Sequence, residues 1–147
     1  MDHQPLFPPG LHTVTEVDLA AKLVHGFGGS RTRSALLDGL RAFLAGLRSA
    51  GVAFEVWLDG SFCTDKLDPN DIDLVVFADP NALNRLDPAK QTLLGGLLDR
   101  TNARRQYGCD VLFASSSDPN MRSYWRGWYG FDRREQPKGI LCLSVSP

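Results

Sequence analysis

The sequence predicts an α+β domain in which a small mixed β-sheet is flanked by helices. Three observations predict it. Leu36, Leu40, Phe43, Leu44 and Leu47 recur at helical spacing and mark one long amphipathic helix. Four short runs, 54–59, 72–77, 109–114 and 139–145, are rich in strand formers and bounded by turn residues. The elements follow one another as helix, helix, strand, strand, helix, strand, helix, strand, with no repeat and no interdomain linker.

Each element has a local reason. Residues 1–12 carry Pro5, Pro8, Pro9 and Gly10 and are expected to be extended or loop-like. Thr15-Glu16-Val17-Asp18 reads as a helix start, a hydroxyl cap with an acid three places on, and the helix should run to about Val24 before Gly26, Gly28 and Gly29 end it. Residues 1–29 thus read as an N-terminal extension with a short helix, and 30–147 as the domain proper, the whole forming one compact unit. Ser30 or Thr32 can cap the long helix, and Gly51 stops it. The run 54–59 alternates as a strand does. Asp68-Pro69-Asn70 is a turn. Residues 72–77 are almost continuously apolar, as in a strand covered on both faces. Asp79-Pro80-Asn81 is another break. Pro88 suits the first turn of a helix reaching about Asn102, with Leu93, Leu94, Leu97 and Leu98 on its buried side. After the strand at 109–114, Asp118-Pro119-Asn120 can start a helix carrying Met121, Tyr124, Trp125, Trp128 and Tyr129, which Gly130 ends. The last strand is 139–145.

The chain has 147 residues, enough for one domain with a real core, and its 43% hydrophobic and 22% charged residues are ordinary for a globular protein. A net charge of -1 argues against a nonspecific nucleic-acid coat. The charge is uneven. Asp59, Asp65, Asp68, Asp71, Asp73 and Asp79 face only Lys66 in the centre, whereas Arg100, Arg104, Arg105, Arg122, Arg126, Arg133, Arg134 and Lys138 outnumber the acids of the C-terminal third. Such a division suits a metal site facing a polyphosphate, and equally two solvated surfaces. Cys63, Cys109 and Cys142 have neither disulfide nor zinc spacing, so a reducing compartment is expected. The N-terminus lacks the pattern of a signal peptide, and no apolar run approaches membrane-spanning length, so the expectation is a cytoplasmic protein with no membrane partner.

The chemistry-bearing residues are carboxylates. Asp71 and Asp73 are two apart, so on a strand they point to one face. Adjacent carboxylates repel, and burying them is costly without a cation between them. Magnesium or manganese suits such hard oxygen ligands. Asp110, at the start of a later strand, supplies a third. Asp71, Asp73 and Asp110 are therefore the candidate catalytic and metal-binding residues. Two metals about 3.5–4 Å apart can stabilise the attacking and leaving oxygens of an in-line displacement. Asp110 would bind the metal beside the attacking hydroxyl and accept its proton. Gly60 lets backbone approach phosphate, Ser61 can donate to phosphate oxygens, and Lys66, with Lys138 or an arginine of the C-terminal third, can neutralise the leaving pyrophosphate. Gly60, Ser61, Lys66 and Lys138 are the candidate nucleotide-binding residues.

Plainer readings stand beside these. Asp68-Pro69-Asn70-Asp71 could be a turn whose side chains cap backbone amides, and Lys66 an exposed loop charge. Trp125, Trp128 and Tyr129, with Arg122 and Arg126, could stack a base, but a helix packed on the sheet with a partly exposed aromatic edge is favoured. Arg104 and Arg105 read as a solvated helix end complementing the dipole. Cys109 reads as a small buried filler. Cys63 could be exposed, with nothing to make it a nucleophile, and His3, His12 and His25 lie outside the motif.

Gly60-Ser61, Asp71-x-Asp73 and the later Asp110 resemble the polymerase-β-like nucleotidyltransferases, especially the minimal ones of bacteria and archaea. More closely, Gly60-Ser61-Phe62, Thr64-Asp65-Lys66, Pro69-Asn70-Asp71-Ile72-Asp73 and Pro137-Lys138-Gly139-Ile140 look like a group of short bacterial nucleotidyltransferase-like proteins. The resemblance covers about residues 30–115. It implies a nucleotidyltransferase-type fold, a Gly-Ser turn that binds triphosphate, and transfer of a nucleoside monophosphate from an NTP substrate to a hydroxyl of a protein, an RNA or a small molecule. Compact proteins of this kind often belong to toxin–antitoxin or defence pairs, which implies a protein partner or an RNA acceptor. The nine residues between Ser61 and Asp71 are one fewer than the minimal members commonly have. The large helical domain that selects substrate elsewhere is missing, so neither the NTP base nor the acceptor follows, and the oligomeric state does not follow either. Two other classes compete. One is a non-catalytic nucleotide- or partner-binding module, such as an antitoxin or regulatory subunit. The other is a metal-dependent phosphodiester hydrolase using the same carboxylates.

Overall fold

The computed structural model describes residues 3–130 and 138–147, with the backbone alone for Trp128 and Tyr129. Arg133, Arg134 and Pro137, named above, and the side chains of Trp128 and Tyr129 lie outside the described residues.

The elements are β1 (Gly10–Thr13), α1 (Leu19–Leu23), α2 (Arg33–Ser49), β2 (Phe54–Asp59), β3 (Ile72–Ala78), α3 (Pro80–Asn84), α4 (Pro88–Leu97), α5 (Arg100–Tyr107), β4 (Cys109–Ser115), α6 (Pro119–Tyr129) and β5 (Gly139–Val145). The strands form one sheet in the order β1-β5-β2-β3-β4. The central pairs β5–β2 and β2–β3 are antiparallel, and the outer pairs β1–β5 and β3–β4 are parallel. This is the mixed sheet flanked by helices that an α+β chain should make.

Strand alternation gives the sheet two apolar faces. On the first, Val56, Leu58, Leu74, Val76, Val111, Leu141 and Leu143 join the buried side of α2, namely Leu36, Leu37, Leu40, Phe43, Leu44 and Leu47. Burying each such side chain stabilises the fold by about 1.5–3 kcal/mol. Thr32 is the N-cap residue of α2 without a side-chain cap bond, and the Ser30 hydroxyl two residues earlier accepts from Thr32 N at 3.3 Å and Arg33 N at 3.1 Å. On the second face Trp57, Val75, Phe77, Ala114, Ile140 and Cys142 are covered by Met121 and Trp125 of α6. Tyr124 is exposed. The packed-helix reading of α6 therefore holds for its described aromatic residues.

The N-terminal segment is extended, as expected, but adds a strand pairing the sequence does not announce, and the structure departs from expectation at Asp79 and Asp99. Within the Pro- and Gly-rich start, Gly10–Thr13 is a strand paired in parallel with β5, as Leu11 with Ile140 and His12 with Leu141. Its four residues carry too little pattern to announce a strand, and its partner is distant in sequence. The break at Asp79 opens the short α3, because the Asp79 carboxylate accepts from Asn81 N at 2.9 Å. The single helix expected from Pro88 to Asn102 is two. Asp99 accepts from Asn102 N at 2.8 Å and so caps α5 anew. No helix among the described residues is long and apolar enough to cross a membrane.

Candidate metal centre

Asp71 precedes β3, Asp73 is its second residue, and Asp110 is the second residue of β4. In the parallel β3–β4 pair Asp73 lies opposite Asp110, so both project from the same face. Oxygens of Asp71, Asp73 and Asp110 all lie within 4.8 Å of one another, and the three residues are half-buried. Gly108, left-handed at φ 71°, ends α5 and turns the chain into β4, which sets Asp110 in this register. The alternation that put Asp71 and Asp73 on one face in the sequence is thus met, and β4 brings in the third carboxylate.

A fourth carboxylate extends the row. Asp59, the last residue of β2, lies opposite Asp73 in the antiparallel β2–β3 pair. It is only 1% exposed. Lys138 Nζ stands 2.9 Å from its Oδ2 and, with the Gly60 backbone N–H, favours its charged form. Burial is the main reason why the Asp59 carboxyl is pushed up to about 7, against the pull of Lys138. Asp73 is raised to about 6, chiefly by burial and then by the neighbouring charges of Asp71 and Asp110. Asp110 goes the other way, because the hydrogen bond from Arg100 favours its ionised form.

The Gly-Ser turn packs directly on this row. Gly60 has φ 81° and ψ -165°, a conformation essentially confined to glycine. A Cβ there would collide with the Asp73 carboxylate. Ser61 opens a 3₁₀ turn, Ser61–Cys63, and its carbonyl accepts from the Thr64 hydroxyl at 2.7 Å. Among the described residues no hydrogen bond engages the Ser61 hydroxyl, and no ion pair joins Lys66 to a carboxylate. Gly60, Ser61 and Lys138 are therefore gathered at the carboxylate row. For Lys66 the structure shows a backbone role, its N donating to Thr64 Oγ1 at 3.2 Å and its carbonyl accepting from Arg33 Nη2 at 2.7 Å.

Arg33 was not singled out in the sequence. It is fully buried at the start of α2. Its guanidinium donates to the carbonyls of Leu23 at 2.9 Å, Phe62 at 2.7 Å, Thr64 at 2.7 Å and Lys66 at 2.7 Å, and it stacks 3.7 Å from the Phe27 ring centroid. Its planar fork holds the whole loop after Ser61. Nothing local in the sequence marks it as buried rather than solvated. Two more arginines were missed as site residues. Arg100 donates to both oxygens of Asp110, at 2.6 and 3.1 Å, and Arg104 donates to Asp71 at 2.5 Å. Arg104 and Arg105 both lie in the solvated last turn of α5, as expected, but Arg104 also reaches Asp71 while Arg105 bonds Asn102. The spacing of four between Arg100 and Arg104, one face of a helix, was the available signal. Asp59 too was visible, as the residue before Gly60, but its depth was not. Cys63, which could have been exposed, is buried, and burial pushes its thiol well up, so it is inert. Cys109 is the buried filler expected.

Three hard oxygen donors this close, on neighbouring strand starts, fit a magnesium or manganese ion. Asp71, Asp73 and Asp110 would hold it.

Comparison with known proteins bears on all but the last three residues. The family of unknown function DUF6932 matches residues 1–144. No curated protein and no solved structure matches the chain. The match spans nearly the whole sequence, and the protein belongs to the DUF6932 family.

Proposed function

We propose that this protein is a metal-dependent nucleotidyltransferase that moves a nucleoside monophosphate from an NTP to a hydroxyl acceptor. The observation that carries the reading is the convergence of Asp71, Asp73 and Asp110 within 4.8 Å beside the Gly60-Ser61 turn. Bound magnesium or manganese would supply charge stabilisation for the attacking and leaving oxygens. Asp71 and Asp73 hold that charge in place. The acceptor hydroxyl gives its proton to Asp110, its oxygen bonds the α-phosphorus, and the bond to the bridging oxygen breaks to release pyrophosphate. The Gly60 backbone and Ser61 hydroxyl receive phosphate oxygens. The acceptor is a protein side chain, an RNA end or a small molecule, in keeping with a toxin–antitoxin or defence pair.

Calorimetric titration of each NTP, with and without manganese, tests the reading. Binding that needs the metal and is lost in Asp71→Asn/Asp73→Asn supports it, and labelled NTP then identifies the acceptor. A folded wild-type protein that binds no NTP under either condition sinks it. One observation favours a second reading, a non-catalytic binding module: Asp71 and Asp110 already have guanidinium partners, so the cluster can exist without a metal. Partner binding unchanged in the double Asn variant, together with no metal-dependent nucleotide binding, would select that module.

A further inference from the structure

We infer that Arg100 and Arg104 are the phosphate-binding arm of this site, holding the carboxylates in the metal-free protein and turning onto the phosphate chain of the substrate when metal takes the carboxylates over. The inference rests on the metal-site reading above and names the residues that receive the polyphosphate.

The cations at the site differ in freedom. Lys138 has a side chain only 15% exposed and is paired with the buried Asp59, so it is held in place. The side chains of Arg100 and Arg104 are 62% and 60% exposed. They are one turn apart on α5, so both reach the row from the same side. Their partners Asp110 and Asp71 are only 15% and 18% exposed, so it is the solvated guanidinium ends that can turn away without unpacking α5. The guanidinium fork that grips Asp110 through two oxygens is also the fork that matches phosphate. Their carboxylate oxygens are also the ones that a metal needs, so guanidinium and metal compete for them. Asp73, between them, has no ion pair among the described residues. The buried Asp59 beside it is paired with Lys138. Among the described residues four carboxylates thus face three cations, Lys138, Arg100 and Arg104, and Asp73 is the one left without a paired cation.

The experiment compares the wild-type chain with Arg100→Ala/Arg104→Ala and with Arg100→Lys/Arg104→Lys. Each is titrated with manganese alone, then with inorganic tripolyphosphate in saturating manganese. The probe carries the phosphate chain without a base. The alanine variant should bind manganese about threefold more tightly or better. It should bind tripolyphosphate about tenfold more weakly or worse, and the lysine variant should recover part of that loss. If manganese binds the wild type but either change is absent, the inference is overturned and the metal site stands. If a folded protein binds no manganese in any variant, the metal site falls, and the inference with it.

Discussion

Arg33 answers carbonyls from two separated segments, Leu23 before α2 and Phe62, Thr64 and Lys66 in the Gly-Ser loop. Removing it would leave those carbonyls buried without donors. Arg33→Ala should therefore lose about 3 kcal/mol or more of stability, read as a lowered urea midpoint. Arg33→Lys should recover only part, because an ammonium cannot reproduce the fork. Gly60 is constrained twice, by its backbone conformation and by Asp73 against its α-carbon. Gly60→Ala should cost about 1–3 kcal/mol by denaturant titration and weaken manganese binding, since the Asp73 carboxylate must move. A stable variant with unchanged manganese affinity would show that the turn does not position Asp73.

At the scale of elements, α5 matters most to the site. It exists as a separate helix because Asp99 recaps the chain, and its C-terminal turn at Gly108 leads straight into β4. The helix carries Arg100 and Arg104 and delivers Asp110. Asp99→Ala should cost about 1 kcal/mol of stability. It should also loosen the start of α5, which would appear as faster amide exchange from Arg100 to Ala103 than in the wild type. The close approach of α2 to α5 depends on Gly39, where a Cβ would collide with the carbonyl of Tyr107. Helix α6 has a different task. It covers the sheet face around Trp57 and Phe77, and strand alternation continues that face into Asp59, Asp73 and Asp110. Arg122 pairs with Glu55 at 2.7 Å and lies over the Trp57 and Phe77 rings, which pins that cover.

For the whole molecule, the raised carboxyls make stability depend on pH. Asp59 at about 7 and Asp73 at about 6 bind protons in the folded protein at pH values where an unfolded chain, with its ordinary carboxylates near 3.8, has released them. The folded state binds more protons in that window, so stability falls as pH rises through about 6 to 7. The metal-free protein should therefore melt at a lower temperature at pH 8 than at pH 5. Asp59→Asn should flatten that difference. Manganese should raise the melting temperature more at pH 8 than at pH 5, because a bound cation and a proton compete for the same oxygens. A melting temperature independent of pH across this range would contradict the burial of both groups.

The sequence by itself determined the class of fold, the long helix α2, the strands β2 to β5 and the identity of the carboxylates. Those features rest on short-range periodicity, which neighbouring residues carry. Asp71 and Asp73 share a face because any strand alternates, and Asp110 stood out because it lies at the start of a later strand. Tertiary structure alone decided what surrounds them. Whether Asp59 is buried depends on β3 and β5 flanking it. Whether Arg33 is a loop anchor or a solvated charge depends on carbonyls from residues 23 and 62–66 meeting at one point. The pairing of β1 with β5 joins the two ends of the chain, and no local pattern encodes it. The same holds for Arg100 and Arg104. Their spacing put them on one face of a helix, but only the packing of α5 beside β4 turned that face toward the carboxylates.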